Sequence, residues 1–190
     1  MDFRLKIVIL LLLFTLTGCY LPLSGKVIDA DTQQPIEGAI VLAQWTIQHG
    51  LGLTYHTVHK IVETETDKKG QFTLPGAYNV FVDQPELVIY KQGYIAWRNN
   101  AILIIKKDEG GKIETIGEKR TDYDVWEHGY VYKLEPFREG YSRYKNYLIM
   151  SLGIIDKEAS KIPNYLKALT YEHQASEPEL ESTRRRERGK

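Results

Sequence analysis

The sequence is poor in cysteine and has no excess of either charge. Cys19 is the one cysteine in 190 residues, so the chain cannot form an internal disulfide bond. Lysine and arginine number 25, as do aspartate and glutamate, so no basic surplus indicates nucleic acid as a partner. Hydrophobic residues make up 43% of the chain, which is enough for a packed core. The length suits one domain with an appendage.

Sequence motifs of common enzyme chemistry are also missing. The chain has no nucleophile elbow, phosphate-binding loop, dinucleotide fingerprint or paired-cysteine zinc motif. These absences favour a protein that is not an enzyme and needs no cofactor. We therefore expect a binding or structural role.

The first 18 residues have the pattern of an export signal. Residues 1–6 include two cationic side chains, residues 7–16 are apolar apart from Thr15, and small residues follow. The apolar run has about half of the ~20 residues that a membrane-spanning helix needs. We therefore expect residues 1–18 to be a signal peptide that is removed.

The segment Leu16-Thr17-Gly18-Cys19 resembles the lipobox of bacterial lipoproteins, in which a small residue precedes an obligatory cysteine. The resemblance implies cleavage before Cys19, lipid on its sulfur and acylation of the new amino terminus. Two or three acyl chains anchor a protein stably, at about 0.8 kcal/mol per buried methylene. Tyr20 replaces the aspartate that commonly retains such proteins at the inner membrane, which favours the outer membrane, facing the periplasm. The alternative is an ordinary signal with an incidental cysteine.

Short β-strand patterns separated by turn residues follow the signal. They lie at residues 23–28, 36–47, 55–66, 71–74, 87–91, 101–106 and 130–134. Between two of them, Asp67-Lys68-Lys69-Gly70 predicts a hairpin turn with glycine at positive φ. Many short strands predict a mainly β protein, an antiparallel sandwich or barrel, rather than a parallel βα fold.

The spacing of apolar residues changes to that of helices after Pro136. Tyr144, Leu148 and Leu152 recur at helical spacing, and Pro163 suits the first turn of a second helix. We therefore expect a helical appendage over residues 137–176. Residues 177–190 are polar and end in a basic run, which predicts a disordered, solvated tail.

Three blocks of residues, in this order, resemble the carboxypeptidase regulatory-like domain. They are Gly25-x-Val27-x-Asp29 with Pro35-Ile36-x-Gly38-Ala39, then Thr66-Asp67-Lys68-Lys69-Gly70-Gln71-Phe72, then Lys91-Gln92-Gly93-Tyr94. The resemblance implies a transthyretin-like β-sandwich of about seven strands over residues 19–136, with insertions at 44–60 and 99–129. The carboxypeptidase of the family name is a neighbouring domain in other proteins, so no peptidase activity is implied.

Three histidines close in sequence, His49, His56 and His59, raise the hypothesis of a divalent-metal site. Residues three apart in a regular strand point to opposite faces, so His56 and His59 diverge unless a bulge or loop intervenes. His128 is too distant in sequence to strengthen the hypothesis. We therefore favour ordinary strand and loop histidines, and no metal site.

Two further sets of side chains suggest a ligand site. Trp45, Trp97 and Trp126 offer aromatic faces for stacking on a glycan, although tryptophans in small β domains more often fill the core. Glu63 and Glu65 lie two apart and share a sheet face. They suit acid–base chemistry or a cation, or form an ordinary exposed strand face.

These observations predict a lipid-anchored protein of the cell envelope with a non-catalytic binding or structural β-sandwich. Its partners are then the membrane, through lipid on Cys19, and a candidate envelope protein or glycan. A glycan-binding or divalent-metal-binding lipoprotein is the alternative.

Overall fold

The computed structural model describes residues 22–50, 54–77, 82, 84–99, 101–107, 113–119, 129–151 and 156–188. The described strands are β1 (Leu23–Asp29), β2 (Ile40–His49), β3 (Tyr55–Glu65), β4 (Gln71–Leu74), β5 (Glu86–Tyr90), β6 (Trp97–Arg98), β7 (Ala101–Lys107), β8 (Ile113–Lys119) and β9 (Tyr130–Leu134). The helices are α1 (Arg143–Ser151) and α2 (Pro163–Arg188), with a 3₁₀ helix at Asp156–Lys161 between them. The predicted signal peptide, residues 1–18, lies outside these residues.

Seven of the strands form two sheets. Sheet A has the order β4-β1-β9, and sheet B has the order β3-β2-β5-β6. All pairs are antiparallel except β1 with β9, which is parallel. The mainly β sandwich with a C-terminal helical appendage is therefore confirmed. β7 and β8 form a separate two-stranded hairpin within the predicted insertion at 99–129.

The two sheets enclose one apolar core. Side chains alternate along β2, so Val41, Ala43 and Trp45 lie on its inner face. They belong to the same buried cluster as Leu74 of β4 and Tyr132 of β9. Because apolar burial contributes roughly 25 cal/mol per Å², this shared core holds the sheets together.

The outer face of sheet B is covered by the helices. Leu42 of β2 and Val88 of β5 are buried in a second cluster with Ile149 of α1 and Tyr165 of α2. The Tyr165 hydroxyl donates to the carbonyl of Met150, at 2.9 Å, which ties α2 to α1. The protein therefore has three layers, sheet A, sheet B and the helices.

A glutamate of sheet B caps the start of α2. The Glu63 carboxylate accepts hydrogen bonds from the backbone amides of Asn164, at 3.0 Å, and Tyr165, at 2.8 Å. The first amides of a helix lack partners within the helix, and the helix dipole favours a negative charge there. Glu63 therefore fixes where α2 begins on the sheet.

Residues 177–188, for which the sequence predicts a disordered tail, continue α2 as a helix. Glu179 accepts a hydrogen bond from the hydroxyl of Ser142, which ties this part of α2 to the start of α1. Glu181 and Arg185 form an ion pair one turn apart, at 3.7 Å. Glutamate, leucine and arginine are good helix formers, so polarity alone was the wrong criterion here.

The sequence predicted a hairpin turn at Asp67–Gly70. The turn instead joins the two sheets. β3 belongs to sheet B, whereas β4 pairs with β1 in sheet A. The Asp67 carboxylate accepts from the amides of Lys69 and Gln71, both at 2.8 Å. These local bonds define the turn in either arrangement, so the turn residues alone do not reveal which strands pair.

Gly70 and Gly93 both have positive φ, at 72° and 89°. Alanine at either position costs about 1–2 kcal/mol in backbone strain. At Gly70 a Cβ would also lie 2.3 Å from the carbonyl oxygen of Val27, whereas at Gly93 nothing lies within 4 Å. We expect Gly70→Ala to lower the free energy of unfolding, measured in urea, by clearly more than Gly93→Ala. Equal losses would show that the close approach at Gly70 has no energetic consequence.

The cap on α2 predicts a difference between two glutamates of β3. Glu63→Ala removes the acceptor for two helix amides and should destabilise the protein by about 1 kcal/mol. Glu65→Ala, two residues along the same strand face, serves as the matched control and should stay within about 0.5 kcal/mol of the wild type. The free energy of unfolding in urea measures both. Similar values for the two variants would contradict the capping role.

Candidate functional site

A groove of about 340 Å³ lies between one end of sheet B and the first turns of α2. The start of β2 at Ile40 pairs with the end of β3 at Glu65 and with the end of β5 at Tyr90. Lys167 and Tyr171 of α2 line the opposite wall. We call this cavity the terminal groove. It is the candidate site because three strand ends and one helix bring polar side chains together around it.

Tyr90, which lines the terminal groove, is held by a buried ion pair. Its hydroxyl donates to Glu172 at 2.7 Å, and Arg143 donates to the same carboxylate at 3.0 Å. Glu172 is fully buried, and Tyr90 is 2% exposed. Burial first, and then the Glu172 carboxylate, raises the pKa of Tyr90, so its hydroxyl stays protonated and keeps donating. This wall of the groove is thereby joined to both helices.

The charged groups around the groove come from different elements. The Lys91 ammonium donates to the backbone carbonyls of Glu37, at 2.7 Å, and Gly38, at 3.2 Å, so its position is defined. Glu65 and Lys167 are exposed. Two cations and one carboxylate around a small cavity suit a polar ligand better than an apolar one. None of the described lining residues is a serine, cysteine or histidine.

The segment that carries Lys91 is tied to the turn after β1 through Asp29. The Asp29 carboxylate accepts from the amides of Asp31 and Thr32, both at 2.8 Å, and from the Tyr94 hydroxyl at 2.9 Å. The hydrogen bond from the Thr32 amide contributes most to lowering the pKa of Asp29. The hydrogen bonds from the Tyr94 hydroxyl and the Asp31 amide lower it further. The ionised carboxylate therefore links two chain segments next to the groove.

The histidines of the predicted metal site are distributed over the β2–β3 ribbon. His49 pairs with Tyr55 and His56 with Gln48, so His49 and His56 lie on opposite faces. A bulge at Trp45/Thr46 leaves His59 out of the register. Nowhere in the described ranges do three histidine, cysteine, aspartate or glutamate side chains group as metal ligands.

The two described tryptophans lie in the core between the sheets. Trp45 is 2% exposed, and the Lys60 ammonium lies 5.4 Å from the centroid of its ring. Trp97 is partly buried and packs edge-to-face on Tyr132, with ring centroids 4.9 Å apart. Trp45 therefore has no free face for a sugar ring.

Several residues named from the sequence lie outside the described residues. They are Cys19, Trp126 and His128. Within the described helices, no stretch combines the length and apolar character needed to cross a membrane.

Sequence reasoning did not identify the terminal groove. Glu63 and Glu65 do share the face of β3 that points toward α2, but one caps the helix and the other borders the groove. Lys91 lies in the third of the blocks that resemble the carboxypeptidase regulatory-like domain, and that resemblance suggested only a folding role for it. Lys167 and Tyr171 come from a helix about 75 residues further along the chain, and no motif connects them to the strands.

The fold is a two-sheet β-sandwich with a helical layer. Comparison with known proteins does not assign this fold to a family. No family model and no curated protein matches the chain. Among solved structures, a 9R-lipoxygenase from Cyanothece PCC8801 is similar over 64% of this chain and 16% of that chain. The identity is 15% and the TM-score is 0.25. A likeness at this level carries no argument about fold, and it establishes no enzymatic function.

Asp29 predicts a pH dependence of stability. Its folded-state pKa is lowered, so the unfolded state binds the proton more tightly, and the stabilisation is lost as pH falls through the folded pKa. We expect the difference in free energy of unfolding between wild type and Asp29→Asn to shrink from about pH 6 to about pH 3. Tyr94→Phe removes one of the hydrogen bonds and should reduce the difference only in part. Parallel pH profiles for wild type and Asp29→Asn would contradict this assignment.

Proposed function

We propose that this protein is a lipid-anchored component of the cell envelope whose β-sandwich acts by binding or structural support, without catalysis. The anchor is supported by the lipobox pattern that ends at Cys19. β1 begins at Leu23, four residues after Cys19. Such a short connection would hold the domain close to the bilayer. Tyr20, in place of aspartate, favours the outer membrane with the domain in the periplasm.

The observation that carries the binding role is the terminal groove and its place in the sandwich. β1 begins at Leu23, opposite Leu74, and ends near Pro35, which bridges to Ile28. The groove lies at this second end, where β2 begins. A domain anchored through the start of β1 would therefore present the groove away from the membrane. A partner in the surrounding compartment would reach it freely.

We also propose that the sandwich is of the carboxypeptidase regulatory-like kind. The three sequence blocks, which are distant along the chain, are hydrogen-bonded to one another. The Thr66 hydroxyl donates to the carbonyl of Ile36 at 2.6 Å and accepts from the amide of Ala39 at 2.8 Å. Lys91 of the third block donates to Gly38 of the first. Contacts among the blocks give a physical reason for those residues to occur together.

The anchor is tested by detergent phase partitioning of cell fractions. We expect the wild type to enter the detergent phase, and Cys19→Ala to stay in the aqueous phase or remain unprocessed, because the alanine cannot accept lipid. Tyr20→Ala keeps the cysteine and serves as the matched control, which should partition like the wild type. If wild type and Cys19→Ala stay in the aqueous phase at the same mature mass, the anchor is refuted.

A further inference from the structure

The end of the sandwich at which β1 begins brings together three strands from distant parts of the chain. Tyr130 starts β9 opposite Gly25, near the start of β1. β2 starts at the opposite end of the sandwich and runs toward the end at which β1 begins. The opposite end is marked by the hydrogen bond from the Ile36 amide to the Val27 carbonyl, at 3.1 Å. The last residue of β2, His49, pairs with Tyr55 of β3. We call this region the anchor end.

The β2–β3 ribbon extends past the level at which β1 begins, and Val82 bridges to Ile47 along it. The Lys60 ammonium donates to the carbonyl of Gly76, at 2.6 Å. Gly76 lies two residues after Leu74, the last residue of β4, which pairs with Leu23 at the start of β1. Tyr55 lies five positions before Lys60 along β3, which is roughly 16 Å of extended strand. The end of the ribbon therefore lies past the level at which β1 begins, by up to about that length.

The anchor end carries exposed aromatic side chains. Tyr55 is 61% exposed, the largest value among the bulky hydrophobic side chains that the structure describes, and Tyr130 is 36% exposed. The Tyr55 ring stacks on His49, with centroids 5.0 Å apart, and His49 bonds the Thr57 hydroxyl at 2.7 Å. The ring is therefore held in place while one side of it faces solvent.

The charge of the ribbon also differs from that of the whole protein. The chain has 25 acidic residues, but residues 44–62 contain none, and their one formal charge is Lys60. A surface without carboxylates does not repel anionic lipid headgroups. Tyrosine, with an apolar ring and a polar hydroxyl, is enriched where membranes meet water.

We propose that the β2–β3 ribbon is the membrane-contact surface of the anchor end, with Tyr55 in the headgroup region of the bilayer that holds Cys19. This inference rests on the proposed lipid anchor. Leu23 lies four positions after Cys19, so the connection spans at most about 14 Å. The ribbon extends in the same direction by up to about the same length, so the connection is too short to lift it clear of the headgroups. The terminal groove then faces the aqueous side.

The single cysteine provides a direct test. When lipid occupies Cys19, Tyr55→Cys carries the only free thiol of the chain, and a nitroxide spin label attaches there alone. The lipidated protein is placed in vesicles of phosphatidylethanolamine and phosphatidylglycerol. Relaxation by oxygen, which concentrates in lipid, is compared with relaxation by a water-soluble nickel chelate. Tyr171→Cys, at a tyrosine that is 40% exposed on the groove wall, is the matched control.

We expect a several-fold higher ratio of oxygen to nickel relaxation at position 55 than at position 171. Circular dichroism of each variant checks the fold. Flotation with the vesicles reports the anchor separately from the label. Floating protein with equal ratios at positions 55 and 171 would overturn the contact surface alone. Protein that does not float would refute the anchor, and the contact surface with it.

Discussion

Burial of β2 on both faces is the constraint on which the rest of the structure depends. Val41, Ala43 and Trp45 fill the core between the sheets, while Leu42 lies on the opposite face of the same strand. A strand that is apolar on both sides must be covered on both sides, because exposed apolar area destabilises the folded state. Sheet A provides one cover and the two helices provide the other. The helical appendage is therefore also the third layer of the structure.

The two covers of sheet B differ in chemistry. The inner one is almost entirely apolar, whereas the outer one includes the buried side chains of Arg98, Asn146 and Glu172. Arg98 pairs with Glu86 and donates to a carbonyl of α1, and Asn146 accepts from a backbone amide near β6. Buried polar groups are costly without partners, so these bonds favour the observed position of the helices. Apolar contact brings the helices to the sheet, and polar contact selects their position.

The sequence predicted the features that depend on local physical chemistry. The pattern of apolar residues revealed most of the strands, though not β6 or β8, and Pro163 marked the first residue of α2. What it missed depends on contacts between distant residues. The turn at Asp67–Gly70 has the same local bonds whether or not it crosses between sheets. The groove needs Lys167 beside Tyr90, and Glu63 acts as a cap only once α2 lies against β3. Periodicity gives no information about such encounters.

The parallel pairing of β1 with β9 has a consequence for how the chain can fold. Gly25 pairs with Tyr130, so the central strand of sheet A comes first in the sequence and one of its two neighbours nearly last. A chain that emerges from its N-terminus, at a ribosome or across a membrane, holds β1 with an open edge until residue 134 has appeared. Closing so long a loop is slow, and the open edge is a site for mispairing in the meantime. Completion of sheet A is therefore an event that follows emergence of nearly the whole sandwich.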